Sequence, residues 1–161
     1  SRTDDALGTE YGEGRYPANL YYCPKPSTAE REAGCYELEK TNGAVLSSTA
    51  QIRNQSGEHT NYKDRGNIHP SVKPVKIMRW LIRLVTAPGG IVIEPFCGSG
   101  TTMIAAEMEG VTCVAADANP RYVPIIKARM DGISVVRAIQ SGKTMNDQSA
   151  QAMMRQGSLF E

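Results

Sequence analysis

The stretch from Ile91 to Gly110, "IVIEPFCGSGTTMIAAEMEG", decides how this chain reads. Ile91-Val92-Ile93 is a short, continuous apolar run, the pattern of a strand buried on both faces of a parallel sheet. Glu94-Pro95 ends that run, and a small loop carrying Gly98 and Gly100 follows. After Ser99 the spacing of Met103, Ile104, Ala106 and Met108 is helical, and Gly110 stops the helix.

The pattern repeats on either side. Val111 to Ala116 forms a second strand candidate that ends in Asp117. Asn119-Pro120 then supplies a cap and a first helical residue, with Tyr122, Val123, Ile126 and Met130 expected on the buried side of the helix. Upstream, Pro74 suits the first turn of a helix whose apolar stripe is Val75, Met78, Leu81, Ile82 and Val85. Lys76, Arg79 and Arg83 take its other face, and Pro88-Gly89-Gly90 turns the chain into the first strand. Two strands joined by a helix at this spacing predict a right-handed βαβ unit in an α/β fold. Ligands of such sheets bind beyond the carboxyl ends of the strands, where Glu94, Pro95, Phe96 and Asp117 fall.

Three regions follow from composition. Residues 1–68 read as irregular, apart from a strand candidate at Asn19–Cys23 closed by Pro24. Within them, residues 36–68 are rich in Asn, Ser, Thr, Gly and charge, which predicts a long loop of the kind that is commonly either functional or disordered. Residues 69–137 hold the regular elements, and residues 138–161 read as a polar, mobile tail.

At 161 residues the chain suffices for one ordinary domain. No apolar run approaches the length that spans a bilayer, and the start, SRTDDALGTE, has no signal-type segment, so a soluble cytoplasmic protein without membrane partners is expected. A first residue of Ser rather than Met is expected of a trimmed chain or of one cut at a chosen boundary. The net charge is +1, but Arg53, Lys63, Arg65, Lys73, Lys76, Arg79 and Arg83 stand against only Glu58 and Asp64, a local net of +5. That is either a phosphate-facing surface or a solvated helix face with a polar loop. Cys23 and Cys35, with His59 and His69 after them, lack the close pair spacing of a zinc site, so no metal is assigned. Cys97 and Cys113 read as small buried residues.

The loop after Ile91–Ile93 narrows the ligand. A Walker-type phosphate loop needs Gly-Lys-Ser/Thr, and Gly98-Ser99-Gly100-Thr101-Thr102 has no lysine. A dinucleotide loop needs a third glycine where Met103 stands. A small loop still admits a ligand close to the backbone, a helix N-terminus favours a carboxylate, and an acid at the next strand end suits ribose hydroxyls. S-adenosyl-L-methionine carries both a carboxylate and a ribose. The alternative is a purely structural glycine turn.

"HPSVKP" at 69–74, "IEPFCGSGTT" at 93–102 and "DANPRY" at 117–122 together resemble the permuted subgroup of amino-group DNA methyltransferases, which methylate adenine N6 or cytosine N4. "GRYPANLYYCPKPSTAER", Gly14–Arg31, is similar to phage and prophage members. The resemblance covers roughly residues 14–130 and implies a Rossmann-like methyltransferase fold that uses S-adenosyl-L-methionine and acts on DNA, as in restriction-modification. By position, Glu94, Pro95, Phe96, Gly98, Ser99, Gly100 and Thr101 would line the cofactor pocket. Asp117, with Asn119 beside it, would hold the ribose, Ser71 and Lys73 would lie near the methionine end, and His69 would be a positioning residue. For Ser71 a helix cap, and for Lys73 a solvated charge, are the simpler alternatives.

The family activates a poorly nucleophilic exocyclic amine with an Asp/Asn/Ser-Pro-Pro-aromatic tetrapeptide, which accepts the amine's hydrogens and stacks on the flipped base. This sequence has no Pro-Pro dipeptide, and in the permuted order the tetrapeptide would precede residue 1. The expectation is therefore a cofactor-binding half that lacks the catalytic half. It would be a fragment, or be completed by the missing catalytic segment or a second subunit, with a bare strand edge and a tendency to self-associate. A non-catalytic DNA- or cofactor-binding module is the alternative, and a methyltransferase of RNA or small amines fits the motif order less well. Residues 36–68 would then belong to target recognition. The final Gln156-Gly157-Ser158-Leu159-Phe160 resembles the peptides that dock into bacterial sliding clamps.

Overall fold

The computed structural model describes residues 23–42 and 64–157. The strand candidate at Asn19–Cys23 falls outside these apart from Cys23, as do the centre of the 36–68 loop, Arg53, His59, Lys63 and the last three residues of the clamp-like peptide.

The regular part matches the periodicity that predicts it. Helix α2 runs Val75–Val85, strand β3 Ile91–Glu94, helix α3 Thr101–Glu109, strand β4 Thr112–Ala115 and helix α4 Val123–Asp131, the last entered through a 3-10 turn at Pro120–Tyr122. Strands β3 and β4 pair in parallel, with Ile91 opposite Thr112 and Ile93 opposite Val114. The Asn119 side chain accepts the Arg121 amide hydrogen, the cap that the Asn-Pro pair implies.

The core forms on one side of this pair. Val75, Ile82, Ile104, Ala105, Ala106 and Val111 are buried there, with Val92 and Cys113 packed against them. Alternation along a strand sends the neighbouring side chains to the opposite face. Ile91, Ile93 and Val114 are accordingly 66, 76 and 57% exposed, so the expectation that β3 is buried on both faces does not hold. Among the described residues, helices cover one face only and β3 pairs with β4 alone.

The N-terminal region is less irregular than its composition implies. Helix α1, Thr28–Glu32, is capped by Ser27, whose hydroxyl accepts the Glu30 amide hydrogen at 3.1 Å. Beyond it Thr41–Asn42 (β1) and Asp64–Arg65 (β2) pair antiparallel, which draws together the two ends of segment 43–63. Ala33 and Gly34 lie against α4 so closely that a Cβ on Gly34 would stand 1.7 Å from the Ala128 carbonyl oxygen. Only glycine permits that crossing.

The C-terminal region differs from the expected tail. Helix α5, Ile133–Gln140, buries Val135, Val136 and Ala138, and helix α6, Asp147–Gly157, buries Ala150 in the same core. Polar composition concealed a sparse apolar stripe, with Met153 and Met154 completing the contact. The buried face of α4 is also rotated from its expected phase. Ile125 and Arg129 point inward, while Val123 is 44% exposed and Tyr122, Ile126 and Met130 are half-buried.

Candidate cofactor site

The carboxyl end of β3, the loop that follows it, the start of α3 and the segment before α2 meet around a cavity of about 350 Å³. Its walls are His69, Ser71, Lys73, Met78, Glu94, Phe96, Cys97, Gly98, Ser99, Thr101 and Thr102. Seven of the residues marked in the sequence thus come together: Ser71, Lys73, Glu94, Phe96, Gly98, Ser99 and Thr101. Pro95, Gly100, Asp117 and Asn119 do not line it. Gly100 instead lies buried against Ile126, and Asn119 caps the turn before α4.

Loop geometry is fixed at three points. Cys97 N–H donates to the Ala116 carbonyl at 2.9 Å, which continues the β3–β4 ladder past the strand end. Gly98 N–H donates to Asp117 Oδ2 at 2.6 Å, and Asn119 N–H donates to Oδ1 of the same carboxylate at 2.8 Å. These amides, Asn119 first, hold the Asp117 carboxyl below the ordinary carboxylate range, so it is charged at neutral pH. Each oxygen keeps a lone pair for another donor. Glu94 closes the third point: Oε1 accepts Phe96 N–H at 3.0 Å and Oε2 accepts the Thr102 hydroxyl at 2.9 Å. Phe96 is left 85% exposed at the rim.

Above the loop sits the "HPSVKP" segment. His69 lies over Gly98, where a Cβ would meet Nε2 at 2.6 Å, and its ring meets Tyr122 edge-on with centroids 4.6 Å apart. His69 Nδ1 accepts the Ser71 amide hydrogen at 3.2 Å. That bond assigns the neutral ring's proton to Nε2, and burial pushes the imidazole pKa down, so the ring stays neutral and positions the loop. Lys73 Nζ donates to Ser71 Oγ at 3.1 Å, which places a cation and a hydroxyl together in the cavity wall. Burial raises the Cys97 thiol to about 11, which removes it as a nucleophile and leaves it a small packing residue.

Helix α1 brackets this segment, a role its composition does not announce. Arg31 Nη2 donates to the His69 carbonyl at 2.6 Å, and Asn67 Nδ2 donates to the Arg31 carbonyl at 2.8 Å. Glu32 Oε2 accepts the amide hydrogens of Gly66 and Asn67, while Glu30 Oε1 accepts Val75 N–H at 2.7 Å and so caps α2 from outside. The sequence signal for α1 was the capping pattern Ser27-Thr28-Ala29-Glu30. Arg129, fully buried beneath the loop, was missed as well; its signal was an i,i+4 spacing from the buried Ile125.

Two members of the basic stretch are committed elsewhere. Arg79 and Arg83 both bind Glu109, at 2.5 and 2.6 Å, and so join α2 to α3. Among the described residues, no cluster of His, Cys, Asp and Glu has the makeup of a metal site, and no helix is long and apolar enough to cross a membrane.

A model of the DNA methylase family matches residues 12–128, and the chain belongs to that family. Two similar relatives are type II methyltransferases. M.PvuII of Proteus hauseri is 30% identical over 107 residues, covering 64% of this chain and 32% of that protein. M.Cfr9I of Citrobacter freundii is 34% identical over 74 residues, covering 46% of this chain and 25% of that one. The chain thus spans about a third or less of the length of these two relatives. Among solved structures, a cytosine-N4-specific PvuII DNA methyltransferase is similar over 47% of this chain and 29% of its own, at 28% identity and a TM-score of 0.37.

Proposed function

We propose that residues 69–137 form the S-adenosyl-L-methionine-binding part of a DNA methyltransferase that modifies adenine N6 or cytosine N4. In this reading β3 and β4 are two strands of a larger Rossmann-like sheet, and the catalytic tetrapeptide comes from a segment or subunit outside this sequence. The observation that carries it is the convergence of "HPSVKP" and "PFCGSG" on one cavity, with His69 seated over Gly98.

The cavity's donor set fits the cofactor. Lys73, Ser71 and the N-terminus of α3 offer a cation, a hydroxyl and a positive helix end to a carboxylate. Phe96 offers an open aromatic face to a purine; outside the cavity wall, the free lone pairs of Asp117, which holds the lining Gly98, suit ribose hydroxyls. When bound, the cofactor would supply an electrophilic methyl group; this chain's residues orient it and shield its amino-acid end. Residues 36–68 serve target recognition in the same proposal, a role supported by their polar composition.

Calorimetric titration with S-adenosyl-L-methionine tests the reading. Saturable binding, lost when Lys73→Ala and Phe96→Ala are combined, is the expected result. A chain that melts cooperatively yet binds no cofactor would sink it.

A further inference from the structure

Resting on that reading of the cavity, we infer that Arg129 is a positioning residue that turns the hydroxyls of Ser99 and Thr101 into a donor for the ligand's carboxylate. Arg129 is 0% exposed and reaches the loop from α4, a full element away. Its Nη1 faces three oxygens: the Ser99 carbonyl at 2.7 Å, Ser99 Oγ at 3.2 Å and Thr101 Oγ1 at 3.0 Å. Nη2 donates to the Glu30 carbonyl at 3.4 Å, and Nε finds no acceptor among the described residues.

A guanidinium only donates, so toward Nη1, whose two hydrogens are shared among the three oxygens, the hydroxyl oxygens can act only as acceptors. Ser99 Oγ and Thr101 Oγ1 also lie 3.3 Å apart, a bond that uses one of their two protons. One hydroxyl proton therefore remains for an acceptor, and both residues line the cavity. A buried cation beneath the same loop adds positive potential where the α3 N-terminus already provides some. Burying a guanidinium with an unpartnered Nε is costly, and an apolar side chain at this point of α4 would fill the core without that cost. The arrangement is accounted for if the charge and the hydroxyl orientation serve an anionic group.

The test compares two nucleosides that differ in the carboxylate-bearing arm: S-adenosylhomocysteine, which has it, and 5′-methylthioadenosine, which does not. Titration of the full chain is expected to show Arg129→Lys weakening S-adenosylhomocysteine about tenfold or more while 5′-methylthioadenosine changes less than about twofold. Equal losses for both ligands would make Arg129 a merely structural residue and overturn the inference, as would no loss for either. If Arg129→Lys fails to fold, Thr101→Val, which keeps the shape and removes one hydroxyl, must show the same selective loss; an equal loss overturns the proposal. Should the unaltered chain bind neither nucleoside, the cofactor reading itself fails. The Arg129 inference failing alone leaves that binding intact.

Discussion

The carboxylate of Asp117 holds the backbone amide of Gly98 at 2.6 Å, so the end of one strand fixes the loop that leaves its neighbour. The same carboxylate takes the Asn119 amide with its other oxygen. An asparagine in its place can accept only one of these hydrogens and would turn its own NH2 toward the other amide. Asp117→Asn is therefore expected to free the Gly98 amide and to weaken S-adenosyl-L-methionine about tenfold or more. Hydrogen exchange at Gly98, read by NMR, checks the structural half. Unchanged protection in the variant would show that the loop does not depend on this contact.

Gly98 faces a second constraint from above. With φ at +55° and the His69 ring 2.6 Å from where a Cβ would stand, Gly98→Ala is strained in its backbone and blocked in space. Its expected outcome is loss of ligand binding together with about 2–3 kcal/mol of stability. Replacing His69 by alanine as well relieves the collision but leaves the backbone strain. The double variant should therefore recover roughly half of the stability lost, and denaturant melts of the four proteins of the cycle measure this. Strict additivity would place the His69 ring elsewhere.

Glu109 makes the clearest prediction about pH. It accepts from Arg83 at 2.6 and 2.8 Å and from Arg79 at 2.5 Å, and its pKa falls to about 2, chiefly through Arg83. A carboxylate lowered on folding contributes its stability above its unfolded pKa, near 4.5, and loses it as the pH falls toward 2. Because Arg83 is open to solvent, the contribution is discounted to about 1 kcal/mol at pH 7. Urea unfolding should show Glu109→Gln weaker than the parent by that amount at pH 7, with the gap narrowing at pH 3 and in high salt. A pH-independent gap would mean that Glu109 acts by packing alone.

The parts of the fold legible in the sequence were those with strong periodicity and firm punctuation. Helix α2, the two strands, the Gly110 stop and the Asn119 cap depend on local chemistry, which a linear reading captures. The seven cavity residues were marked by another route, the resemblance of their motifs to a known family, and the structure brings them to one cavity. Helix α1 was not legible, because its worth lies in the long-range bonds of Glu30, Arg31 and Glu32 to residues 66–75. Nor was Arg129, because a charged side chain at a helix position normally argues for the solvent face. The α6 helix was not legible because its apolar stripe is sparse, with Ala150, Met153 and Met154 set among polar residues.

The uncovered face of the β3–β4 pair makes the last prediction. Ile91, Ile93 and Val114 stand 57–76% exposed on one side of two adjacent strands, and β3 keeps an unpaired edge among the described residues. Scattered apolar side chains are tolerated in water, but a contiguous row beside an open strand edge favours association with a further surface. In solution this chain is expected to self-associate with rising concentration, and sedimentation velocity would show it as a shift from monomer to larger species. Ile93→Lys places a charge at the centre of the row, where the side chain already points to solvent. It should therefore reduce association without lowering the melting temperature by more than about 2–3 °C. A parent chain that stays monomeric at high concentration would overturn this prediction.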